Sequence, residues 1–364
     1  MAKKLKQTFA IHHWCGLIAG IFILVISLSG AVLVFDDNID EASFRQESTL
    51  TAPANSLRID ASFERVRQQN PGWEVRIPSL PAAPTQALHY ELRQGQLRKW
   101  IFVHPVTGSE QATVAQAHNR FSYLLLNLHY NLLAGTAGKI VVLLAGLALL
   151  LLTITGFLLY RKSILKVLTF KKRVSGKNRR AFFSSLHNIV GVWSLVFNLF
   201  MCVTGLSLAI TVVGNAFKGG KKEIVSPAIP VSIDAMLLHA GQTYPAFQVT
   251  TIRFPKNAEG KLQLLGRQAS DPAYYGKYYS SLQFNYKTGE MGKADFLKDQ
   301  PWSKRFLTVL HPLHFGDYAG LFVQLLYCVG GIMPGVLSIS GFILWRFRPK
   351  RTTRKAPAAA YKTA

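Results

Sequence analysis

Four stretches without a single Lys, Arg, Asp or Glu decide what this chain can fold into: residues 11–35, 140–160, 181–217 and 318–345. Each meets the roughly 20 apolar residues needed to cross a hydrocarbon core about 30 Å thick. An overall hydrophobic share of 49% agrees with a membrane protein. The first stretch follows Lys3, Lys4 and Lys6 as a secretory signal would, but it is too long, and Asp36 and Asp37 stand where small residues would precede a cleavage site. It is therefore expected to remain as a span.

A net charge of +24 would suggest nucleic acid if it covered a soluble surface. It is instead concentrated: residues 1–10 hold three Lys, residues 161–180 nine Lys or Arg, and residues 346–364 seven, with no acid among them. All three segments fall on one side of a four-span topology, which the positive-inside rule makes the cytoplasm. Both termini are then cytoplasmic, both long loops face outward, and no nucleic-acid partner is expected. Cys15, Cys202 and Cys328 all lie within spans, so the loops carry no disulfide framework.

The chain also repeats itself. His12-x3-Gly16-x13-Gly30 in the first span recurs as His187-x3-Gly191-x13-Gly205 in the third. Arg120-Phe121, His129, Gly135, Gly146, Gly156 and Arg161 recur without a gap as Arg305-Phe306, His314, Gly320, Gly331, Gly341 and Arg346. In the loops, Ile59-Asp60-Ala61 with Pro71 answers Ile233-Asp234-Ala235 with Pro245, and Thr107-Gly108 answers Thr288-Gly289. Both halves begin inside, so the expected fold is an α-helical membrane protein of four transmembrane helices. They form two parallel repeats about a pseudo-two-fold axis along the membrane normal, each with an extracytoplasmic α+β domain.

The expected divisions are a first helix (1–36), outer domain (37–118), second helix (119–162), basic loop (163–180), third helix (181–214), second outer domain (215–303), fourth helix (304–347) and basic tail (348–364). In the first loop Asp60 is expected to cap a helix over Ala61–Gln69, followed by strands at Trp73–Ile77, Ala87–Leu92 and Trp100–Val103. In the second, the helix runs Asp234–Thr243 and the strands Gln248–Phe254, Lys261–Leu265 and Tyr279–Tyr286. The Thr-Gly turns close the last strand of each.

The repeat sorts the histidines. His12 pairs with His187 at the inner ends of their helices, and His129 with His314 at the outer ends. Imidazoles at a membrane boundary need partners; the plain alternative is an interfacial histidine bonded to a backbone carbonyl. No further Cys, Asp or Glu accompanies either pair, which disfavours a closed four-ligand zinc site. Two facing imidazoles are what a six-coordinate haem requires, and without Cys-x-x-Cys-His the haem would be non-covalent.

Matched glycines would leave room for a flat macrocycle, or equally would let helices pack closely. Arg120 and Arg305 could meet haem propionates or an anionic substrate, or serve as interfacial anchors. His13, next to His12, is expected on another helix face, and the inner ligand stays open between His12 and His13. His311, three residues before His314, could replace it as ligand or act near a substrate. His89, His104, His118 and His239 read as ordinary surface or turn residues, and Tyr274, Tyr275, Tyr278 and Tyr279 as an aromatic cluster able to hold a bulky ligand or to form local core.

The segments HHWCGLIAGIFILVISLSGAVLVF, LHYNLLAG, SLHNIVGVWSLVFNLFMCVTGL, LHFGDYAGL and SISGFILWR resemble the PepSY-associated transmembrane proteins, and the outer α+β units resemble PepSY domains. Where that family commonly has Arg after its first His, this chain has His13. The resemblance implies a bacterial inner-membrane oxidoreductase with two b-type haems. His12 and His187 would hold the inner haem, and His129 and His314 the outer, with a periplasmic ferric siderophore reduced to release its iron. No Gly-x-Gly-x-x-Gly follows a strand, so the electron donor, a cytoplasmic reductant or quinol, lies elsewhere. The rival expectation is a non-enzymatic PepSY scaffold that restrains an extracytoplasmic partner.

Overall fold

The computed structural model describes residues 2–218 and 226–347. The basic tail expected over 348–364 and a short piece of the second loop, 219–225, lie outside the described residues.

Helix α1 (Ala2–Leu33) leads into two short helices, α2 (Asp36–Ser43) and α3 (Arg45–Ser48), and then to α4 (Asp60–Gln68) and strands β1 (Glu74–Ile77), β2 (Leu88–Gln94), β3 (Leu97–Val103) and β4 (Glu110–Val114). The chain returns through α5 (Phe121–Asn131) and α6 (Gly135–Tyr160), and turns at the basic end through α7 (Ile164–Leu168). The second half follows with α8 (Arg179–Trp193), α9 (Leu195–Phe217), α10 (Ile233–Thr243), β5 (Phe247–Arg253), β6 (Leu262–Gln268), β7 (Ser280–Phe284), β8 (Met291–Asp295), α11 (Trp302–Phe315) and α12 (Gly320–Arg346). Among the described residues, four helical segments are long and apolar enough to cross a membrane, Lys3–Leu33, Gly135–Leu168, Leu195–Phe217 and Gly320–Arg346. They form a ring in which α1 packs on α12 and α6, α9 on α6, and α8 on α12.

The second and fourth helices are each divided in two. Between α5 and α6 the backbone turns through Leu132 (φ 50°), Leu133 (φ 58°) and Gly135 (φ 56°), and between α11 and α12 through Gly316 (φ 73°) and Gly320 (φ 76°). The left-handed conformation ends a helix, and glycine adopts it without steric cost. The short helices α5 and α11 consequently lie against α1 and α9 respectively. The third span is interrupted once, at Ser194 between α8 and α9.

The loop strands also combine differently from the expectation of one domain per loop. They form one antiparallel sheet of eight strands in the order β4-β3-β2-β1-β5-β6-β7-β8. The joint is β1 with β5, where Arg76 faces Arg253 and Ile77 faces Ile252. Pairing these edges removes exposed backbone groups. It also lets one apolar core run beneath both halves, from Phe63, Ile77 and Tyr90 to Met236, Ile252 and Phe284. The outermost strands β4 and β8 follow the Thr-Gly turns that had been expected to end each sheet. Neither has a buried residue, so no apolar alternation marked them.

Asp60 does cap a helix, but not its own. Its carboxylate accepts from the backbone N–H of Ile233 at 2.8 Å and from the Ser232 hydroxyl, at the start of α10. Asp234 in turn accepts from the N–H of Ile59 at 2.7 Å, at the start of α4. Each half thus satisfies the orphan N-terminal donors of the other, and the joint is held by polar bonds as well as by the shared core.

Candidate functional site

The spanning helices bring four histidines together as two pairs. The rings of His12 and His187 have centroids 6.3 Å apart, and those of His129 and His314 6.2 Å apart. His12 lies on α1, and the glycine beside His129 is Gly30 of the same helix. Eighteen residues at 1.5 Å rise separate the pairs by about 27 Å along that helix. One pair therefore sits at the basic end of the bundle and the other at the sheet end.

Each ring is held in the same way. Nδ1 of His12 is 2.9 Å from Oγ1 of Thr155, and Nδ1 of His187 is 2.9 Å from Oγ of Ser340. Nδ1 of His314 is 3.0 Å from Oγ1 of Thr204, while Nδ1 of His129 lies 2.8 Å from the Ile26 carbonyl and 3.3 Å from Oγ of Ser29. All four hydroxyl residues are buried. Each also donates its only hydroxyl proton to the carbonyl four residues earlier, Leu151, Val336, Phe200 and Val25. The hydroxyl oxygen must then accept, so Nδ1 of the imidazole carries the ring proton. Nε2 is left with its lone pair, the state in which imidazole binds a metal.

The residue after each hydroxyl is glycine, and it gives the ring its place. A Cβ on Gly30 would lie 2.7 Å from Cε1 of His129, and one on Gly205 would lie 3.0 Å from Cε1 of His314. On Gly156 and Gly341 it would lie 3.4 Å and 3.6 Å from Cε1 of His12 and His187. Gly146 and Gly331 do something else: a Cβ there would meet Leu206 at 2.9 Å and Ala31 at 3.2 Å, so these positions let helices approach.

The hydroxyls Ser29, Thr155, Thr204 and Ser340 were passed over in the sequence. The signal was available, since each immediately precedes a matched glycine and shares its offset between halves.

Among the described residues no group of three or more His, Cys, Asp or Glu clusters, so each pair offers a metal two protein ligands. With metal–nitrogen bonds of about 2 Å and roughly 1.15 Å from nitrogen to ring centre, two imidazoles on opposite sides of one metal have centroids about 6.3 Å apart. Both pairs match this spacing. They fit a metal whose remaining positions are filled by a macrocycle.

The other candidates are placed as follows. His13 stacks on Phe9 at 6.0 Å and borders Trp14, away from the pair. Arg120 is engaged by Asp40 at 2.9 Å and lies 4.3 Å above the Trp100 ring. Arg305 reaches the Lys298 carbonyl at 3.4 Å. His311 has its Nδ1 buried without a hydrogen-bond partner and its ring 6.2 Å from that of Tyr279. The four tyrosines form two separate pairs, Tyr274 with Tyr275 and Tyr278 with Tyr279.

His104 is the turn residue expected, accepting from the N–H of Val106 and Thr107 at 3.2 and 3.3 Å. His89 is not a surface residue: it packs between Trp100 and Phe102, where burial, aided by Arg120, pushes its imidazole down to about 3.

Four apolar helices with histidines at both ends of the bundle, topped by an antiparallel sheet, define a helical membrane protein built for paired imidazoles. The PepSY-associated TM region profile matches residues 9–348, and the chain belongs to that family. It is also similar to "Uncharacterized protein PA4219" of Pseudomonas aeruginosa, 24% identical over 252 residues, a match covering 61% of this chain and 62% of that protein.

Proposed function

We propose that the protein is a transmembrane oxidoreductase of the bacterial inner membrane that passes electrons to a periplasmic ferric siderophore. In this reading the two halves are parallel repeats about an axis along the membrane normal, the basic end is cytoplasmic, and the sheet, a pair of PepSY-like units, is periplasmic.

His12 with His187 would hold an inner b-type haem, and His129 with His314 an outer one. Bound haem would supply reversible one-electron chemistry. The chain's own residues do the rest. Thr155, Ser340, Thr204, Ser29 and the Ile26 carbonyl would hold the Nδ1 protons and leave Nε2 with its lone pair, and the four glycines admit the rings. The donor is a cytoplasmic reductant or quinol, and iron released as Fe(II) is bound less firmly by hard oxygen ligands than Fe(III).

One observation carries the proposal: two imidazole pairs with centroids 6.3 and 6.2 Å apart, each ring having its Nδ1 against a buried hydroxyl or a backbone carbonyl. Protein purified in mild detergent should show a dithionite-reduced b-type spectrum with about two haems per chain. A preparation that stays colourless after reconstitution with haem would refute it.

A further inference from the structure

The two outer histidines have equivalent partners, but the helices that carry them differ one turn earlier. On α11, His311 stands three residues before His314; at the same offset on α5, before His129, the residue is Leu126. Residues three apart share a helix face. A histidine is therefore placed beside the outer pair on one side only.

Its surroundings are specific. Nδ1 of His311 is buried without a partner, while the residue as a whole keeps partial access. A buried polar atom left unpaired is destabilising, least so when it carries no proton. The proton therefore belongs on Nε2, the opposite tautomer from that of His314. His311 thus presents an N–H donor beside the outer pair that no hydrogen bond among the described residues uses.

The segment facing it is built to close contact. Gly276 has φ 76°, and a Cβ there would lie 2.7 Å from Tyr279 and 3.3 Å from Pro312, the neighbour of His311. Lys277 fastens the same segment to Asp37 at 3.3 Å and to Asp317 at 3.8 Å, so Tyr279 is held over α11.

We infer that His311, backed by Tyr279, is the binding residue for the electron acceptor, donating an Nε2 hydrogen bond to an anionic oxygen of an oxygen-donor metal chelate beside the outer pair. The choice of acceptor rests on the redox reading above; the donor site itself does not need it. Its role is positional: it fixes the chelate at the sheet end, next to His314 and not next to His129.

The test separates the two readings. A gallium(III) trihydroxamate is redox-inert, so its binding to the purified full chain, followed by titration calorimetry, does not depend on electron flow. His311→Leu, which installs the residue found in the other half, should weaken binding at least tenfold. His311→Gln, which keeps an N–H donor, should weaken it less than threefold. Haem content, measured in parallel, should be unchanged in both variants. Equal binding by wild type and His311→Leu overturns the inference, as does a wild type that does not bind the gallium chelate. Binding that depends on His311 in a protein that never takes up haem supports the donor site and overturns the redox reading alone.

Discussion

The spanning helices of the two halves carry the same device, whereas the connections above them have diverged. In the first half, Asp40 joins Arg120 at 2.9 Å and also accepts from Ser122, and Arg120 covers Trp100, so the return into α5 is braced by a charged cluster. In the second half, Arg305 has a backbone carbonyl at 3.4 Å, and beside α11 the rings of Tyr279 and His311 lie 6.2 Å apart. An ion pair with further hydrogen bonds and a stacked aromatic is rigid; an unpaired donor beside a tyrosine is available. The difference teaches that matched helices set where the paired rings lie, while unmatched connections set which side of the sheet-end pair is open to something else.

The largest expected effect breaks the comparison at the centre itself. In proteoliposomes of known orientation, His129→Ala should abolish reduction of a ferric siderophore supplied on the sheet side, read as ferrous iron trapped by an impermeant chelator. A donor added at the basic end should still reduce the remaining haem. Undiminished sheet-side reduction would refute the route through this pair.

Glycine substitutions sharpen the contrast between the two ends. Gly30→Ala and Gly205→Ala would drive a methyl to 2.7 and 3.0 Å from a ring, against 3.4 and 3.6 Å for Gly156→Ala and Gly341→Ala. Overpacking costs about 1–3 kcal/mol, so the first two should lose most of one haem and the last two little. Comparable haem content in all four would show that the glycines are not what seats the rings. Removing a hydroxyl, as in Thr204→Val, should weaken haem binding at that pair by roughly 10–100-fold, measured by transfer of haem to an apoprotein acceptor.

The crossed caps make a smaller claim about the joint between halves. Asp60→Ala and Asp234→Ala should each cost about 1 kcal/mol. The double variant should fall short of the sum, because the two carboxylates share one interface. Strict additivity in denaturant titrations would show that the caps act independently.

A further effect concerns pH. His89 is pushed down to about 3 in the folded protein, against about 6.5 in an unfolded chain. The unfolded state takes up the proton first, so this contribution is complete above pH 6.5 and is lost as pH falls toward 3. His89→Phe should flatten the loss of melting temperature between pH 7 and pH 4; an unchanged slope would assign that loss to other groups.

The four spans and the meeting of His12 with His187 and of His129 with His314 could be read from the chain, because uncharged runs and equal spacings are local properties that survive in one dimension. The sequence did not disclose that Asp60 and Asp234 cap each other's helices, since the donors they satisfy lie more than 170 residues away. Nor did it disclose that β1 pairs with β5 to make one sheet, since which edges meet depends on how both loops are held over the bundle. The buried hydroxyls were visible as residues but not as partners, because a serine at an i−4 carbonyl looks the same in sequence whether or not an imidazole approaches its oxygen. Only the packing of α5 on α1 and of α11 on α9 decided that one.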